Sequence, residues 1–208
     1  MKFPVQVLFF DLDGTLADTL PDIARAVNVV RRENGRKTLS DEQVRPLIGD
    51  GARLLMERAM GAADDRWFQR FLDVYRLQPA AGSRVYPGIF EVLLRYEHKL
   101  LACVTNKPKD LALQVLADLD ILSFFQEVIG PEDVLRKKPA PDGLQLVLKR
   151  FGVAGRQAVM IGDHHTDLRA AAAAGVASCF CRYGYGHDDG LPADASISRP
   201  EEIIHHFY

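Results

Sequence analysis

The chain has 208 residues, 48% of them hydrophobic, which suits one large domain or two small ones with a sizeable core. Its 26 lysines and arginines face 28 aspartates and glutamates, a formal charge of −2, so no general attraction to nucleic acid or to an acidic membrane surface is expected. The apolar segment 5–10 is too short to span a bilayer and is stopped by Asp11, and no small-residue cleavage site follows it. The three cysteines, Cys103, Cys179 and Cys181, lie in apolar surroundings and fit reduced core thiols in a cytoplasmic protein. Cys179 and Cys181 have the spacing of a metal half-site, but no second pair accompanies them.

Residues 7–10 read as a strand buried on both faces, ending in Asp11-Leu12-Asp13-Gly14-Thr15. In a plain strand Asp11 and Asp13 point the same way, and like charges that close repel unless a cation lies between them or one is protonated. Gly14 permits a sharp turn. Thr19 is placed to cap a helix with Pro21 in its first turn and Gly35 at its end, with Ile23, Ala26, Val27 and Val30 on one face. Ser40 and Gln43 have capping-box spacing. Residues 50–60 and 64–78 read as two further helices, the second with an apolar stripe of Trp67, Phe68, Phe71 and Tyr75. Residues 16–83 therefore look all-helical, and the Pro/Gly-rich passage 79–88 leads out of them.

From Pro87 onward helix and strand alternate. Helices are predicted over 89–97, 108–119, 143–151 and 166–174, and strands over 100–104, 125–129, 158–161 and 177–181. A short strand over 195–197 and a last helix from Pro200 complete the chain. This alternation implies a parallel sheet with helices on both faces, and the helical block interrupts it after the first strand.

Strand ends in a parallel sheet share one edge, where ligands bind. Val104-Thr105-Asn106 brings a hydroxyl and an amide there. Lys137-Lys138-Pro139 precedes a helix, and Gly162-Asp163 with Asp167 closes the fourth strand. Asp11, Asp13, Asp163 and Asp167 would then form a carboxylate cluster needing a hard divalent cation, Mg2+, while Thr105, Asn106 and Lys138 suit a phosphate. In the helical block, Gly49-Asp50-Gly51 leads into a helix start whose N–H groups attract anions, and Arg53 in the first turn adds a forked contact for a carboxylate. Asp50 is assigned to capping that helix. Lys107 and Lys109 read as surface charge, and His164 and His165 as partly exposed side chains at the cleft rim.

Asp11-Leu12-Asp13-Gly14-Thr15, then Thr105, then Lys138-Pro139, then Gly162-Asp163 with Asp167 resemble the four-motif set of the haloacid dehalogenase-like hydrolase superfamily, in order and spacing and over essentially the whole chain. The position of the insert resembles the helical cap of the subfamily containing the phosphoglycolate phosphatases, as do the runs 18–23, 48–52, 56–59, 104–108 and 183–185. The resemblance implies an α/β fold with a Rossmann-like parallel sheet core (1–15 and 84–208) and an inserted α-helical cap domain (16–83). It implies a Mg2+-dependent phosphomonoester hydrolase acting on a small phosphorylated metabolite, phosphoglycolate first, as a monomer or homodimer with no nucleic-acid or membrane partner.

By the same resemblance Asp11 is the nucleophile, and Asp13 is the acid and base, with its backbone carbonyl toward the metal. Asp163 binds the metal, Asp167 holds the site, and Thr105 and Lys138 neutralise phosphoryl oxygens. Lys138 is taken over Lys137 because it directly precedes Pro139. Dehalogenation is disfavoured by Asp13. Phosphonate cleavage is disfavoured because Lys37 is the one lysine in the insert. A sugar-phosphate phosphatase or phosphoglucomutase-like enzyme is the alternative, and a receiver-type signalling domain a remote one.

Overall fold

The computed structural model describes residues 4–208; the first three residues of the expected 1–15 core segment lie outside it. Strand β1 (Val7–Phe10) leads into the short β2 (Ala17–Asp18) and then four helices: α1 (Leu20–Glu33), α2 (Asp41–Val44), α3 (Ala52–Met60) and α4 (Asp65–Leu77). After β3 (Arg84–Val85) the chain alternates: α5 (Ile89–Arg95), β4 (Leu100–Val104), α6 (Lys109–Asp118), β5 (Glu127–Ile129), α7 (Asp142–Phe151), β6 (Ala158–Gly162), α8 (His165–Ala174), β7 (Ala177–Cys181), β8 (Ala195–Ile197) and α9 (Ile203–His206).

Six strands form one sheet in the order β5-β4-β1-β6-β7-β8, with every pairing parallel. This is the α/β, Rossmann-like architecture expected from the alternation. The central position of β1 explains its unbroken apolar run. Leu8 and Phe10 join a core on one side with Leu101, Cys103, Val159 and Ile161. Val7 and Phe9 join a second core on the other side with Ala102, Val104 and Met160. Helices α7 and α8 cover that second side through Leu144, Val147, Ala170 and Ala171. The small alanine side chains of α8 let its backbone lie close to the sheet. The three cysteines are free and buried.

The insert is not wholly helical. Ala17 and Asp18 pair antiparallel with Val85 and Arg84, a two-stranded clasp where the chain leaves and re-enters the sheet region. Two residues per strand carry too little alternation to be read from sequence. Helix α1 buries Ile23, Ala26, Val27 and Val30 as predicted, and α4 buries Phe71 and Tyr75. Arg70 of α4 donates to both carboxylate oxygens of Glu33 in α1, at 2.9 and 2.6 Å. Ser40 N–H donates to Gln43 Oε1 at 2.9 Å, half of the expected capping box.

Candidate active site at the carboxyl edge of the sheet

Strand β1 ends at Phe10, and the Asp11 N–H extends its ladder by one bond, donating to the Ile161 carbonyl at 2.9 Å. The chain then turns at Gly14, whose φ is +84°; a Cβ there would overlap the Asp163 carboxylate. Only glycine gives both the conformation and the close approach. Because the strand stops before the first acid, Asp11 and Asp13 do not share one face as a continued strand would require.

Asp11, Asp163 and Asp167 are all buried, and one carboxylate oxygen from each lies within 4.8 Å of the others. Lys138 stands among them, its Nζ 3.0 Å from Asp11 Oδ1 and 2.6 Å from Asp167 Oδ1. Three buried acids against one ammonium leave a surplus of negative charge. Burial, and then the charges of Asp11 and Asp167, push the Asp163 carboxyl up to about 8. Burial pushes Asp11 up to about 6, with Lys138 pulling it back and Asp167 adding to the rise. Burial alone would lower Lys138, but Asp11 and Asp167 outweigh it and hold the ammonium above its ordinary range. A hard, all-oxygen donor set with uncompensated charge fits a divalent cation.

Asp163 is held from three sides. Thr15 Oγ1 donates to its Oδ1 at 2.9 Å; Tyr185 N and Gly186 N donate to its Oδ2 at 3.0 and 2.8 Å. Asp167 has a double role, since its Oδ2 also accepts from the His164 N–H at 3.1 Å at the start of α8. Asp167 thus both caps the start of α8 and belongs to the carboxylate cluster.

Asp13 is the expected fourth carboxylate, and its side chain is not in the cluster of three. Its Oδ1 accepts from Thr19 Oγ1 at 2.6 Å and from Lys107 Nζ at 2.9 Å. Lys107 also meets the Tyr75 hydroxyl of α4 at 2.8 Å. Lys107, expected on the surface, is therefore buried. Burial alone would lower it, but Asp13 outweighs that and keeps it charged. Lys109 is the solvent-side lysine of the pair, bridging to Asp133 at 2.7 Å. Thr19 makes no cap hydrogen bond to α1; its hydroxyl serves Asp13 and pairs with the Tyr185 hydroxyl at 2.8 Å.

Thr105 lies at the end of β4, and its Oγ1 accepts from the Lys107 N–H at 3.2 Å. Asn106, expected to donate to a phosphate, spends its amide N–H groups on backbone carbonyls of Gly49 (2.9 Å) and Lys138 (3.0 Å). It latches the α2–α3 loop to the sheet edge. Lys137 donates to the Asp50 carbonyl across the same gap, so Lys138 and not Lys137 enters the cluster. Gly51 precedes α3 with a φ of +93° and, with Gly49, lines the cavity between helices and sheet.

Arg53 does not reach that cavity. It is exposed on α3, paired with Asp65 and lying over the Phe68 ring at 4.4 Å. The side chain expected to make a forked contact to a carboxylate is turned away from the cavity, because it leaves α3 on the face that packs toward α4. Asp50 does not cap α3 either; Gly51 is the cap residue, and Asp50 pairs with Arg58 at 2.8 Å.

The cavity opens to solvent and, with that open space included, holds about 590 Å3. Asp11, Asp13, Thr105, Lys107 and Asp163 face it from the sheet edge, and Ile23, Ile48, Leu55, Phe71 and Tyr75 from the helical insert. His164 also lines it and is 4% exposed, a correction to its expected rim position. Its ring lies where a Cβ on Gly49 would sit, and burial with the adjacent His165 pushes it down to about 4, so it is a neutral ring at pH 7.

A family model of haloacid dehalogenase-like hydrolases matches residues 8–181. The chain belongs to this family. The match spans both halves of the sheet edge just described and the helices between them. Among curated relatives of this haloacid dehalogenase-like hydrolase, the phosphoglycolate phosphatase of Pseudomonas syringae pv. tomato is 37% identical over 198 residues, covering 89% of this chain and 72% of that protein. The phosphoglycolate phosphatase of Aliivibrio fischeri is 33% identical over 222 residues, covering 98% of this chain and 93% of that protein. A crystal structure of a protein described as a predicted phosphoglycolate phosphatase from Haemophilus somnus superposes with a TM-score of 0.89 at 29% identity, covering 97% of each chain. Among the described residues no helix is long and apolar enough to cross a membrane.

Sequence reasoning missed Lys107, Thr19, Tyr75 and Tyr185 as site residues of this hydrolase. Lys107 stood two positions after Thr105, and Tyr185 stood in a run already noted for its resemblance. Thr19 reaches Asp13 over only 6 residues, but the contacts of Lys107 with Tyr75, Lys107 with Asp13 and Thr19 with Tyr185 join residues 32, 94 and 166 apart in the chain.

Proposed function

We propose that this chain is a Mg2+-dependent phosphomonoester hydrolase working through an aspartyl-phosphate, with phosphoglycolate as its substrate. The observation that carries the reading is the separation of the first-motif acids. Asp11 faces Lys138 and the buried acids. Asp13 lines the same cavity but pairs with an ammonium of its own, Lys107. Two carboxylates placed in different environments are suited to two different tasks.

In this reading an Asp11 oxygen attacks phosphorus, the bond from phosphorus to the leaving oxygen breaks, and Asp13 gives that oxygen its proton. Water then attacks the aspartyl-phosphate while Asp13 takes a proton back, and the bond from Asp11 to phosphorus breaks to release phosphate. Asp11, Asp163, Asp167 and the Asp13 backbone carbonyl would hold Mg2+, which when bound supplies charge neutralisation for the phosphoryl group. Lys138 and the Thr105 hydroxyl neutralise phosphoryl oxygens from the protein side. Residues 16–83 act as the cap over the core, latched through Asn106 to Gly49 and excluding water when closed.

The choice of phosphoglycolate is supported by the names of relatives aligned over most of this chain. With Arg53 withdrawn, recognition of the second anion falls to Lys107 and to the N–H groups at the start of α3. Among the described residues lining the cavity, Lys107 is the one lysine and no arginine is present. That sparse positive charge is what keeps a sugar-phosphate phosphatase or mutase as the second reading. The test is multiple-turnover phosphate release in Mg2+ across small phosphomonoesters. A higher kcat/KM for phosphoglycolate than for glucose phosphates supports the first reading, the reverse order supports the second, and release of one phosphate per chain overturns both.

A further inference from the structure

We propose that His164, His165 and His187 form a binding site for a borderline divalent transition metal of the Zn2+ type, separate from the carboxylate cluster. One ring nitrogen from each lies within 4.8 Å of the other two. The rings gather closely, with centroids 4.1 Å apart for His164 and His165, 5.0 Å for His164 and His187, and 5.2 Å for His165 and His187.

His164 Nδ1 is turned to Thr166, 3.1 Å from its Oγ1 at the start of α8, which leaves Nε2 of that ring for a ligand, and a second ring is left unsatisfied. His165 Nδ1 is buried with no hydrogen-bond partner. The other side of the cluster is organised. His187 Nδ1 lies 2.8 Å from Asp189 Oδ1, and the second oxygen of the same carboxylate lies 3.7 Å from His165 Nδ1. A carboxylate behind an imidazole fixes its tautomer and leaves the far nitrogen as a free lone pair aimed at a metal. The two chain segments are tied by the His165 N–H donating to the His187 carbonyl at 2.7 Å, so the donors are held before any ion arrives.

The ligand chemistry separates this site from its neighbour. Neutral imidazole nitrogens suit Zn2+, Co2+, Ni2+ and Cu2+, whereas the all-oxygen cluster of Asp11, Asp163 and Asp167 suits Mg2+. Three nitrogens leave a fourth position for water, as in open zinc sites. The site shares no residue with the cluster, although it sits on the loops that flank it. His164 is the cap residue before α8, and His187 follows Gly186, whose N–H holds Asp163.

The experiment is Zn2+ and Co2+ titration of the full chain in excess Mg2+, which occupies the carboxylate cluster. The wild-type chain is expected to take up one equivalent of Zn2+, and Co2+ to show the visible absorption of a nitrogen-ligated ion of low coordination number. His187→Ala and His165→Gln are each expected to weaken both by at least about tenfold. The His187 side chain is 57% exposed, so its removal leaves the fold and the Mg2+-supported hydrolysis in zinc-free buffer unchanged. Absence of a Zn2+ equivalent in the wild-type chain, or unchanged affinity in either variant, overturns the three-histidine site whatever substrate the chain hydrolyses.

Discussion

Lys107 and Asp13 form a buried ion pair, Nζ to Oδ1 at 2.9 Å, across 94 residues of sequence. The pair ties the first motif at the tip of β1 to the end of β4, and through the Tyr75 hydroxyl to helix α4 of the insert. One ammonium thus orients the proposed acid and base and joins it to the cap. Lys107→Met keeps the stem but leaves the largely buried Asp13 without its cation. Removing one partner of a buried pair costs on the order of 3 kcal/mol, and losing an oriented acid–base group costs about 100-fold in rate. A lower thermal midpoint with kcat reduced more than KM is expected; steady-state kinetics and thermal unfolding check both, and wild-type values for both would show the pair to be idle.

Asp11→Asn and Asp13→Asn should fail at different steps. The first removes the proposed nucleophile and abolishes turnover while the circular dichroism spectrum is retained, because the side chain lies beyond the last core residue of β1. The second leaves the nucleophile in place but removes the base for the attacking water. After acetyl phosphate in Mg2+, mass spectrometry should find a phosphorylated chain for Asp13→Asn and none for Asp11→Asn.

Chelation should abolish hydrolysis, and Mg2+ should raise the unfolding midpoint of the metal-free chain. The physical reason is the surplus charge of Asp11, Asp163 and Asp167, which one Lys138 does not balance. At a concentration 100 times its dissociation constant a bound ion stabilises by about 2.7 kcal/mol. Asp163→Asn should shrink that shift, and Ca2+, with its larger and looser coordination shell, should inhibit. Calorimetric scans with and without each ion provide the measurement.

Arg53→Ala should leave kcat/KM unchanged for phosphoglycolate and for a neutral sugar phosphate alike. Its guanidinium is engaged by Asp65 and the Phe68 ring on the exposed side of the insert, and such surface pairs contribute less than about 1 kcal/mol. A selective loss with phosphoglycolate would mean that the side chain swings into the cavity when substrate is bound.

The Glu33–Arg70 contact between α1 and α4 gives a pH-dependent test of the insert. Hydrogen bonds from Arg70 hold the Glu33 carboxyl below its usual 4.5. A depressed carboxyl stabilises the fold above its unfolded value, and that contribution is lost as pH falls through the folded value. The difference in urea midpoint between wild type and Glu33→Gln should therefore be present at pH 7 and close below roughly pH 4.

The sheet was legible because burial writes a pattern into a chain. Leu100–Val104, Ala177–Cys181 and Ala195–Ile197 are strands over the residues their apolar runs predicted. The four motifs pointed to one edge because parallel strands end together, and Asp11, Asp163, Asp167 and Lys138 do meet there. Local pattern did not reveal the clasp of Ala17–Asp18 with Arg84–Val85, whose strands are shorter than one alternation period.

What the sequence by itself determined was therefore the sheet, its insert and the chemical character of the edge. Only the tertiary structure decided which charge faces which. It buried Lys107 against Asp13, sent Arg53 to Asp65, spent Asn106 on the Gly49 carbonyl and gathered His187 with His164 and His165. Periodicity records how deeply a residue is buried and on which side of its own element. The partner of a charged side chain is set instead by which elements the fold brings together, as Lys107 and Asp13 meet across 94 residues where Coulomb attraction and desolvation are both strong.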